Sequence, residues 1–270
     1  MEWNDILSAG GTPILMGIVN VTQDSFSDGG RFFDPQAAIL HGQELLRAGA
    51  RIIDVGAEST RPGYQAVDAV QEWQRLAPVL EGLANKDALL SVDTMKADVA
   101  HHALQNGAAI VNDVWGLQRD PEMAKVVAEH NALLVAMHNR ADVDEALNLK
   151  ADWKRFFDKT LDIAQNAGIP LSRIALDPGV GFGKTQTQNI QAVRELGILK
   201  EEYGLPVLLG LSRKSVLGWI TGQPATARLA ATIAANIRGM NNGAAILRVH
   251  DVQEHIDALK VWAAMDGKYD

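Results

Sequence analysis

A chain of 270 residues, of which 47% are hydrophobic, is long enough to bury a large core, and its lack of cysteine excludes disulfide bonds, thiol catalysis and thiolate metal sites. A formal net charge of −8 argues against broad electrostatic binding to nucleic acid or to an anionic membrane. No run approaches the roughly 20 apolar residues of a membrane span, and the first residues lack a signal-peptide pattern, so we expect a cytoplasmic protein without membrane contact.

Apolar runs alternate with helical patterns along the chain, beginning with the run from Ile14 to Asn20. The predicted strands are 14–20, 51–55, 88–92, 109–113, 132–137, 173–176, 207–211 and 244–249. The predicted helices are 37–48, 67–83, 96–105, 121–130, 153–167, 189–203, 228–240 and 253–265. This α/β alternation favours parallel strands in a single (β/α)8 barrel over an open doubly wound sheet. We therefore expect one domain over 1–270, with 1–12 as a short lead-in.

Polar side chains follow almost every predicted strand, at the end where the loops of such barrels carry their chemistry. The clearest case is 174–184, where an apolar strand ends on Asp177 and breaks into a glycine-rich loop. Each such residue, taken alone, is more often a helix cap or a turn residue. Their mixture of carboxylates, amides and cations favours a ligand site instead. These residues are Asn20, Asp54, Glu58, Thr60, Arg61, Asp93, Asn112, Asp113, His138, Asp177, Ser212, Arg213, Lys214, Arg248 and His250.

The strand-end residues divide into two groups by their chemistry. One group offers donors and acceptors for the edge of a flat, nitrogen-rich ring, together with apolar side chains for its faces. Its members are Asp93, Asn112, Asp177, Lys214, Met137 and Phe182. The other group joins an amide, a hydroxyl and cations from strands 1, 2 and 8, which are neighbours in a closed barrel, and it suits a phosphate. Its members are Asn20, Thr60, Arg61, Arg248 and His250.

Ser212 is predicted to start the helix that follows strand 7. The free backbone N–H groups of a helix start, and its positive dipole end, favour a further anionic group at this position, such as a carboxylate.

The motifs in this order resemble those of the dihydropteroate synthase family over almost the whole chain. The matching segments are 16–30, 54–63, 91–94, 112–114, 137–138, 177–184, 212–215 and 248–251. The resemblance implies a TIM barrel that joins 6-hydroxymethyl-7,8-dihydropterin diphosphate to p-aminobenzoate in folate biosynthesis and releases pyrophosphate. It further implies assistance by Mg²⁺, a homodimer, and inhibition by sulfonamide drugs.

The family's residue roles carry over motif by motif. The first group above is implied to hold the pterin, and the second to hold the diphosphate, with Asn20 on the Mg²⁺ side. Phe26 and Pro62 are implied to lie against the aminobenzoate ring, with Ser212 near its carboxylate. The residues expected to take part in the reaction are Asp28, Arg61, Lys214, Arg248 and His250. Two departures from the family pattern are visible, because Gln23 replaces a frequent proline and Ala57 a frequent glycine.

Two other classes of protein remain open from the sequence. A pterin-binding methyltransferase, which moves a methyl group to a corrinoid partner, shares the carboxylates and the amide that hold the pterin. It does not need Arg61, Arg248 and His250. A non-catalytic pterin or folate binder does not need the two loop segments 24–28 and 59–62, which are intact here. Pyrophosphate release with and without p-aminobenzoate separates the three classes.

Overall fold

The computed structural model describes residues 1–7, 12–21, 34–58, 67–84 and 89–267. Eight parallel strands pair in sequence order, and the last closes onto the first, so the described residues form a complete barrel. The predicted (β/α)8 fold is confirmed, and the open sheet is excluded. The strands are β1 Ile14–Asn20, β2 Ile52–Gly56, β3 Leu89–Asp93, β4 Ile110–Asp113, β5 Leu133–Met137, β6 Ile174–Asp177, β7 Val207–Gly210 and β8 Ala244–Val249.

Eleven α-helices lie within the described residues, three more than the sequence pattern predicts. They are α1 Trp3–Ile6, α2 Pro35–Arg47, α3 Ala69–Leu83, α4 Ala97–Gln105, α5 Met123–Glu129, α6 Leu149–Ala167, α7 Gln186–Glu195, α8 Gly197–Tyr203, α9 Ser215–Thr221, α10 Leu229–Asn241 and α11 Val252–Met265. Short 3₁₀ turns precede β6 and α10. In this part of the chain, no helix combines the length and apolarity that crossing a membrane requires.

Two predicted helix boundaries are wrong for identifiable reasons. α6 begins four residues before the predicted start, because the Asn148 side chain accepts the Ala151 N–H at 3.1 Å and caps the helix there. The single helix predicted over 189–203 is two helices that meet at Gly197. A Cβ atom on Gly197 would lie 2.5 Å from the carbonyl oxygen of Asn242, so the backbones approach closely at this break.

The barrel interior is apolar, and α1 covers its lower end. The Trp3 side chain is 1% exposed and packs among residues from the first half of each strand, such as Ile14 and Ile52. Its indole N–H donates to the carbonyl oxygens of Arg173 at 3.0 Å and Leu134 at 3.3 Å. The opposite, carboxyl end of the strands is therefore left for ligand binding.

Candidate active site

Strand register brings the predicted ring-binding residues to one level of the barrel. Asp93 pairs with Asn112 across β3 and β4, and Met137 pairs with Asp177 across β5 and β6. Each of the four ends its strand or lies within one residue of the end. Because all the strands are parallel, their carboxyl ends meet at the same rim. The sequence grouping of these side chains is thus matched by their position in the fold.

Arg248 links two carboxylates at this rim. Its Nε donates to Asp54 Oδ2 and its Nη2 to Asp93 Oδ2, both at 2.6 Å. Asn112 Nδ2 donates to the same Asp54 oxygen at 3.1 Å. The residue types alone group Arg248 with the phosphate residues, but its guanidinium lies against the carboxylates of the ring-binding side. One cation therefore connects the two predicted groups.

Asp54 is one of the predicted strand-end residues but belongs to neither the ring-binding nor the phosphate group. Its side chain is fully buried, and its Oδ1 has no hydrogen-bond partner among the described residues. A buried carboxylate oxygen without a partner is costly, and such an oxygen is a ready acceptor for a ligand or an ordered water. The signal in the sequence is the acid itself, which interrupts the otherwise apolar strand 52–56.

Burial controls the protonation of the rim residues. It raises the pKa of Asp93 to about 7, against the lowering effect of Arg248. It also raises the pKa of Asp177, which Lys214 opposes, and it lowers the pKa of Lys214 to about 8, which Asp177 opposes. Arg248 differs, because the neighbouring Asp54 and Asp93 outweigh burial and raise its pKa. The rim thus holds groups that exchange protons near neutral pH.

The glycine-rich loop after β6 shapes the pocket beside Asp177. Asp177 Oδ1 accepts the Gly179 N–H at 2.7 Å, while a Cβ atom on Gly210 would lie 3.5 Å from Oδ2. The absence of a side chain at Gly210 leaves space beside that second oxygen. Lys214 Nζ donates to the carbonyl oxygen of Val180 and lies 4.7 Å from the ring centroid of Phe182.

An apolar wall stands next to these polar groups. Phe182 packs against a small cluster that contains Met95, Val114, Trp115 and Met137. A flat ring between this wall and the carboxylates would have apolar contacts on its faces and acceptors at its edge.

The prediction for Ser212 needs a correction. The helix after β7 begins at Ser215, with Lys214 as its N-cap, so Ser212 precedes the helix and has no helix-start N–H groups of its own. Its hydroxyl instead lies 2.9 Å from His250 Nδ1 and accepts the His250 N–H at 3.3 Å. The intervening Arg213 has a left-handed φ of 59°, which accounts for the early turn of the chain. Ser212 and His250 therefore form one polar pair.

Comparison with known families decides which class of protein carries this geometry. The family model for pterin binding enzymes matches residues 16–250. The chain belongs to the pterin binding enzyme family. That assignment agrees with the arrangement of carboxylates, amide and apolar wall at the barrel rim.

Relatives within the pterin binding enzymes are similar along nearly the whole chain. A dihydropteroate synthase of Clostridium beijerinckii is 44% identical over 249 residues, which is 92% of each chain. The solved structure of a Xanthomonas albilineans dihydropteroate synthase with 4-aminobenzoic acid has a TM-score of 0.89 and 43% identity, and the match covers 94% of this chain and 93% of that one. A Yersinia pestis dihydropteroate synthase in complex with a sulfonamide drug has a TM-score of 0.87 and 38% identity, with 95% of both chains covered.

Several predicted site residues of this family member lie outside the described residues. These are Phe26, Asp28, Thr60, Arg61 and Pro62, and the variant position Gln23 joins them. The other variant position, Ala57, is fully buried just after β2. Asn20, the predicted metal ligand, ends β1 beside Gly56 of β2. Within the described ranges, no group of three or more His, Asp or Glu side chains is arranged to hold a metal ion.

Three other polar residues at strand ends serve local structure. Asp113 accepts the N–H groups of Trp115 and Leu117 at 2.9 and 2.7 Å, and it shapes the turn after β4. Glu58 accepts the Val67 N–H at 3.1 Å and pairs with Lys96. The Arg213 Nε donates to Asp251 at 3.1 Å. Asp113 is thus a turn residue, as the alternative reading of strand-end residues has it, while Glu58 and Arg213 form ion pairs that the sequence did not predict.

A buried polar network lies behind the glycine-rich loop, and the sequence does not predict it. Lys184 Nζ lies 2.8 Å from His138 Nδ1, and His138 Nε2 lies 3.0 Å from Asp152 Oδ2. Arg140 Nη1 donates to the same Asp152 oxygen at 2.9 Å, and Arg155 pairs with the other oxygen. His138 is recognisable in the sequence as a polar residue after β5. Its partner Asp152 lies on α6, where it looks like any charged residue of a helix.

Proposed function

We propose that this protein is a dihydropteroate synthase, which joins 6-hydroxymethyl-7,8-dihydropterin diphosphate to p-aminobenzoate and releases pyrophosphate. The observation that carries this proposal is the convergence of Asp93, Asn112, Asp177 and Lys214 at one rim of the barrel, beside the Phe182 wall. The relatives that carry this name support the choice of reaction.

Pterin recognition follows from the free hydrogen-bonding positions. Asp177 uses Oδ1 for the loop and keeps Oδ2 for the ring, where a carboxylate matches adjacent N–H and amino donors. Asn112 and Asp93 meet another edge of the same ring, and Met137 and Phe182 cover its faces. Lys214, beside Asp177, donates to a ring acceptor.

The reaction breaks the C–O bond between the pterin CH₂ group and the diphosphate, and it forms a C–N bond to the amine of p-aminobenzoate. No protein nucleophile is required, so stabilisation of the leaving group dominates. Arg61, Arg248 and His250 stabilise the charge that develops on the diphosphate, which is worth several kcal/mol in a site that excludes water. The electron-rich ring shares the positive charge left on the CH₂ carbon, with Asp28 as its counter-charge. The neutral amine then attacks the CH₂ carbon, forms the C–N bond and passes a proton to the released pyrophosphate or to water.

We place the Mg²⁺ ion at Asn20. Mg²⁺ keeps several waters and usually takes one or two protein oxygens together with substrate phosphates, so a single amide oxygen at a strand end fits it. The bound ion would neutralise charge on the leaving pyrophosphate. Asn20 itself orients the diphosphate from the β1 side of the rim.

The p-aminobenzoate site is assigned to Phe26, Pro62 and Ser212. The aniline ring lies against the first two, and the carboxylate lies near the Ser212 and His250 pair. A sulfonamide shares the aniline and an opposite polar acceptor, so it competes for the same place.

An assay of pyrophosphate release tests the function directly. The protein should release pyrophosphate from the pterin diphosphate with Mg²⁺, and p-aminobenzoate should be consumed in equal amount. Methyl transfer from methyltetrahydrofolate would support the corrinoid-dependent class instead. Tight pterin binding without turnover would support the non-catalytic binder.

We propose that the protein is a homodimer. Exposed apolar side chains on the last helices support this, namely Trp219 and Ile220 on α9 and Val261 and Met265 on α11. Sedimentation equilibrium should give twice the chain mass for the wild type. A measured mass equal to that of one chain, at the concentrations used for the activity assay, would contradict the proposal.

A further inference from the structure

One buried ammonium group holds the inner side of the loop 178–184. The Lys184 side chain is 6% exposed, and its Nζ lies 2.7 Å from the carbonyl oxygen of Gly179 and 3.0 Å from that of Phe182. His138 Nδ1, at 2.8 Å, is the third neighbour. A charged ammonium has three N–H donors, and a neutral amine has two. The three acceptors therefore match the charged form.

The orientation of His138 follows from its two neighbours. Burial lowers the pKa of His138 to about 4, so the ring is neutral at physiological pH. A neutral imidazole that donates from Nε2 to Asp152 has a lone pair on Nδ1, which accepts from Lys184. Asp152 stays ionised, because the hydrogen bonds from His138 and Arg140 outweigh burial and lower its pKa.

The ammonium is connected to the ring-binding carboxylate through the loop backbone. Gly179 donates its N–H to Asp177 Oδ1 and gives its carbonyl oxygen to Lys184. His138 also donates its backbone N–H to the Asp177 carbonyl oxygen at 2.9 Å. The Phe182 carbonyl oxygen, held by the same ammonium, fixes the residue that forms the apolar wall.

We propose that Lys184 is a positioning residue for the pterin site, which fixes Asp177 and Phe182 through the loop, and that Asp152 acts through His138 to keep Lys184 charged. This inference rests on the proposed pterin-binding function. His138 is fully buried and Asp152 is 3% exposed, so both act through Lys184 rather than by contact with a ligand.

The proton on Lys184 makes the arrangement sensitive to pH. Burial lowers the pKa of Lys184 to about 7, an effect that Asp177 and Asp152 oppose and that Lys214 and Arg140 reinforce. These four groups and neutral His138 are the titratable and charged neighbours on β6, α6 and the loops that follow β5 and β7. Above that pH the amine has one donor fewer, and one of its three acceptors loses its partner.

The first experiment compares pterin binding by the wild type and by Lys184→Met with calorimetry, on both sides of pH 7. We expect the variant to bind pterin about tenfold more weakly below pH 7, and we expect the difference to shrink as the pH rises and the wild-type ammonium loses its proton. Asp93 and Lys214 titrate in the same range, as does any ionisation of the ligand, but they are common to both proteins. The ratio of the two affinities therefore cancels what the two proteins share, and it reports the loss of Lys184 together with the higher pKa of Asp177 that follows when this cation is removed.

Lys125→Met is the matched control, because Lys125 lies exposed on α5 and pairs only loosely with Glu122 at 3.7 Å. It should follow the wild type at every pH. In turnover assays, Lys184→Met should raise the KM for the pterin diphosphate more than the KM for p-aminobenzoate.

A second variant, Asp152→Asn, decides the question if Lys184→Met fails to fold. It keeps the shape of the side chain but removes a charge that favours the ammonium, so the loss of pterin affinity should begin at a lower pH than in the wild type. An affinity ratio for Lys184→Met that does not change with pH, or an unchanged profile for Asp152→Asn, overturns the proposal. Failure of the wild type to bind pterin at all would instead overturn the proposed function.

Discussion

Asp177 offers a sharp test of ring recognition at the scale of one residue. Asp177→Asn keeps the size of the side chain and the acceptor for Gly179, but it places an amide N–H where the ring offers donors. We expect pterin affinity to fall by about 1 to 3 kcal/mol, which is roughly 5-fold to 150-fold. Calorimetry on the folded variant measures this, with the exposed Asp142→Asn as a control. An unchanged dissociation constant would rule out the role given to Asp177.

Arg248 is the second residue whose contacts lead to a measurable effect. Arg248→Met removes the charge that opposes burial at Asp93, so the pKa of Asp93 rises further above its present value of about 7. A carboxyl group with a raised pKa in the folded state loses stability as the pH rises toward that pKa. The stability difference between wild type and variant should therefore widen above pH 7. Denaturant unfolding at several pH values checks this, and a constant difference contradicts it.

The sequence predicts some of these residues much better than others. Asp93, Asn112 and Asp177 each end an apolar run, so the pattern of one strand is enough to find them. The pairing of Arg248 with Asp54 joins β8 to β2, the two neighbours of β1, and no local pattern encodes a contact between residues so distant in sequence. The predicted helix start at Ser212 is wrong for a local reason, because Arg213 takes a left-handed turn that its residue type does not signal, and the helix begins three residues later.

Gly179 carries a prediction at the scale of a structural element, the loop after β6. Its φ is +70°, and an added Cβ atom would lie 1.8 Å from the carbonyl oxygen of His138. Gly179→Ala should therefore displace the loop, lower the stability by several kcal/mol and abolish measurable pterin binding.

Gly204→Ala is the matched control for Gly179→Ala. Gly204 also has a left-handed φ, of +66°, but nothing lies within 4 Å of an added Cβ atom. Gly204→Ala should lower the free energy of unfolding by only about 1 to 2 kcal/mol, the cost of a side chain in the left-handed backbone region, and it should leave pterin binding intact. Chemical unfolding and calorimetry on both variants separate the steric effect from the backbone effect. Equal losses in the two variants would show that the close approach to His138 does not matter.

Among the elements, the strands were predictable and some helix ends were not. Each strand is a short apolar run between polar turns, because a strand that is buried on both faces needs apolar residues at nearly every position. The break between α7 and α8 depends instead on the approach of Asn242 to Gly197, which are distant in sequence. Helical periodicity continues across that break and therefore predicted one helix.

At the scale of the whole molecule, residues at the lower end of the barrel contribute to stability, whereas residues at the upper rim bind the ligand. Trp3→Ala removes a side chain that is 1% exposed and leaves two carbonyl oxygens without its indole N–H. We expect a loss of about 3 to 5 kcal/mol in the free energy of unfolding, with unchanged pterin affinity. The exposed Leu40→Ala on α2 is the control and should change stability little. A loss of pterin affinity in folded Trp3→Ala would show that the two ends are coupled.

The ion pair between Arg248 and Asp54 sets an order of events during synthesis. The two residues are 194 positions apart. A ribosome that adds about 5 to 20 residues per second delivers the guanidinium roughly 10 to 40 s after the carboxylate. Until β8 arrives, β1 and β7 each keep an unpaired edge, and Asp54 has no cation. Because the barrel stays open until then, we expect the substrate to bind only after β8 has joined β1 and β7. Separate fragments 1–204 and 205–270 should bind no pterin alone and should regain binding only when they associate.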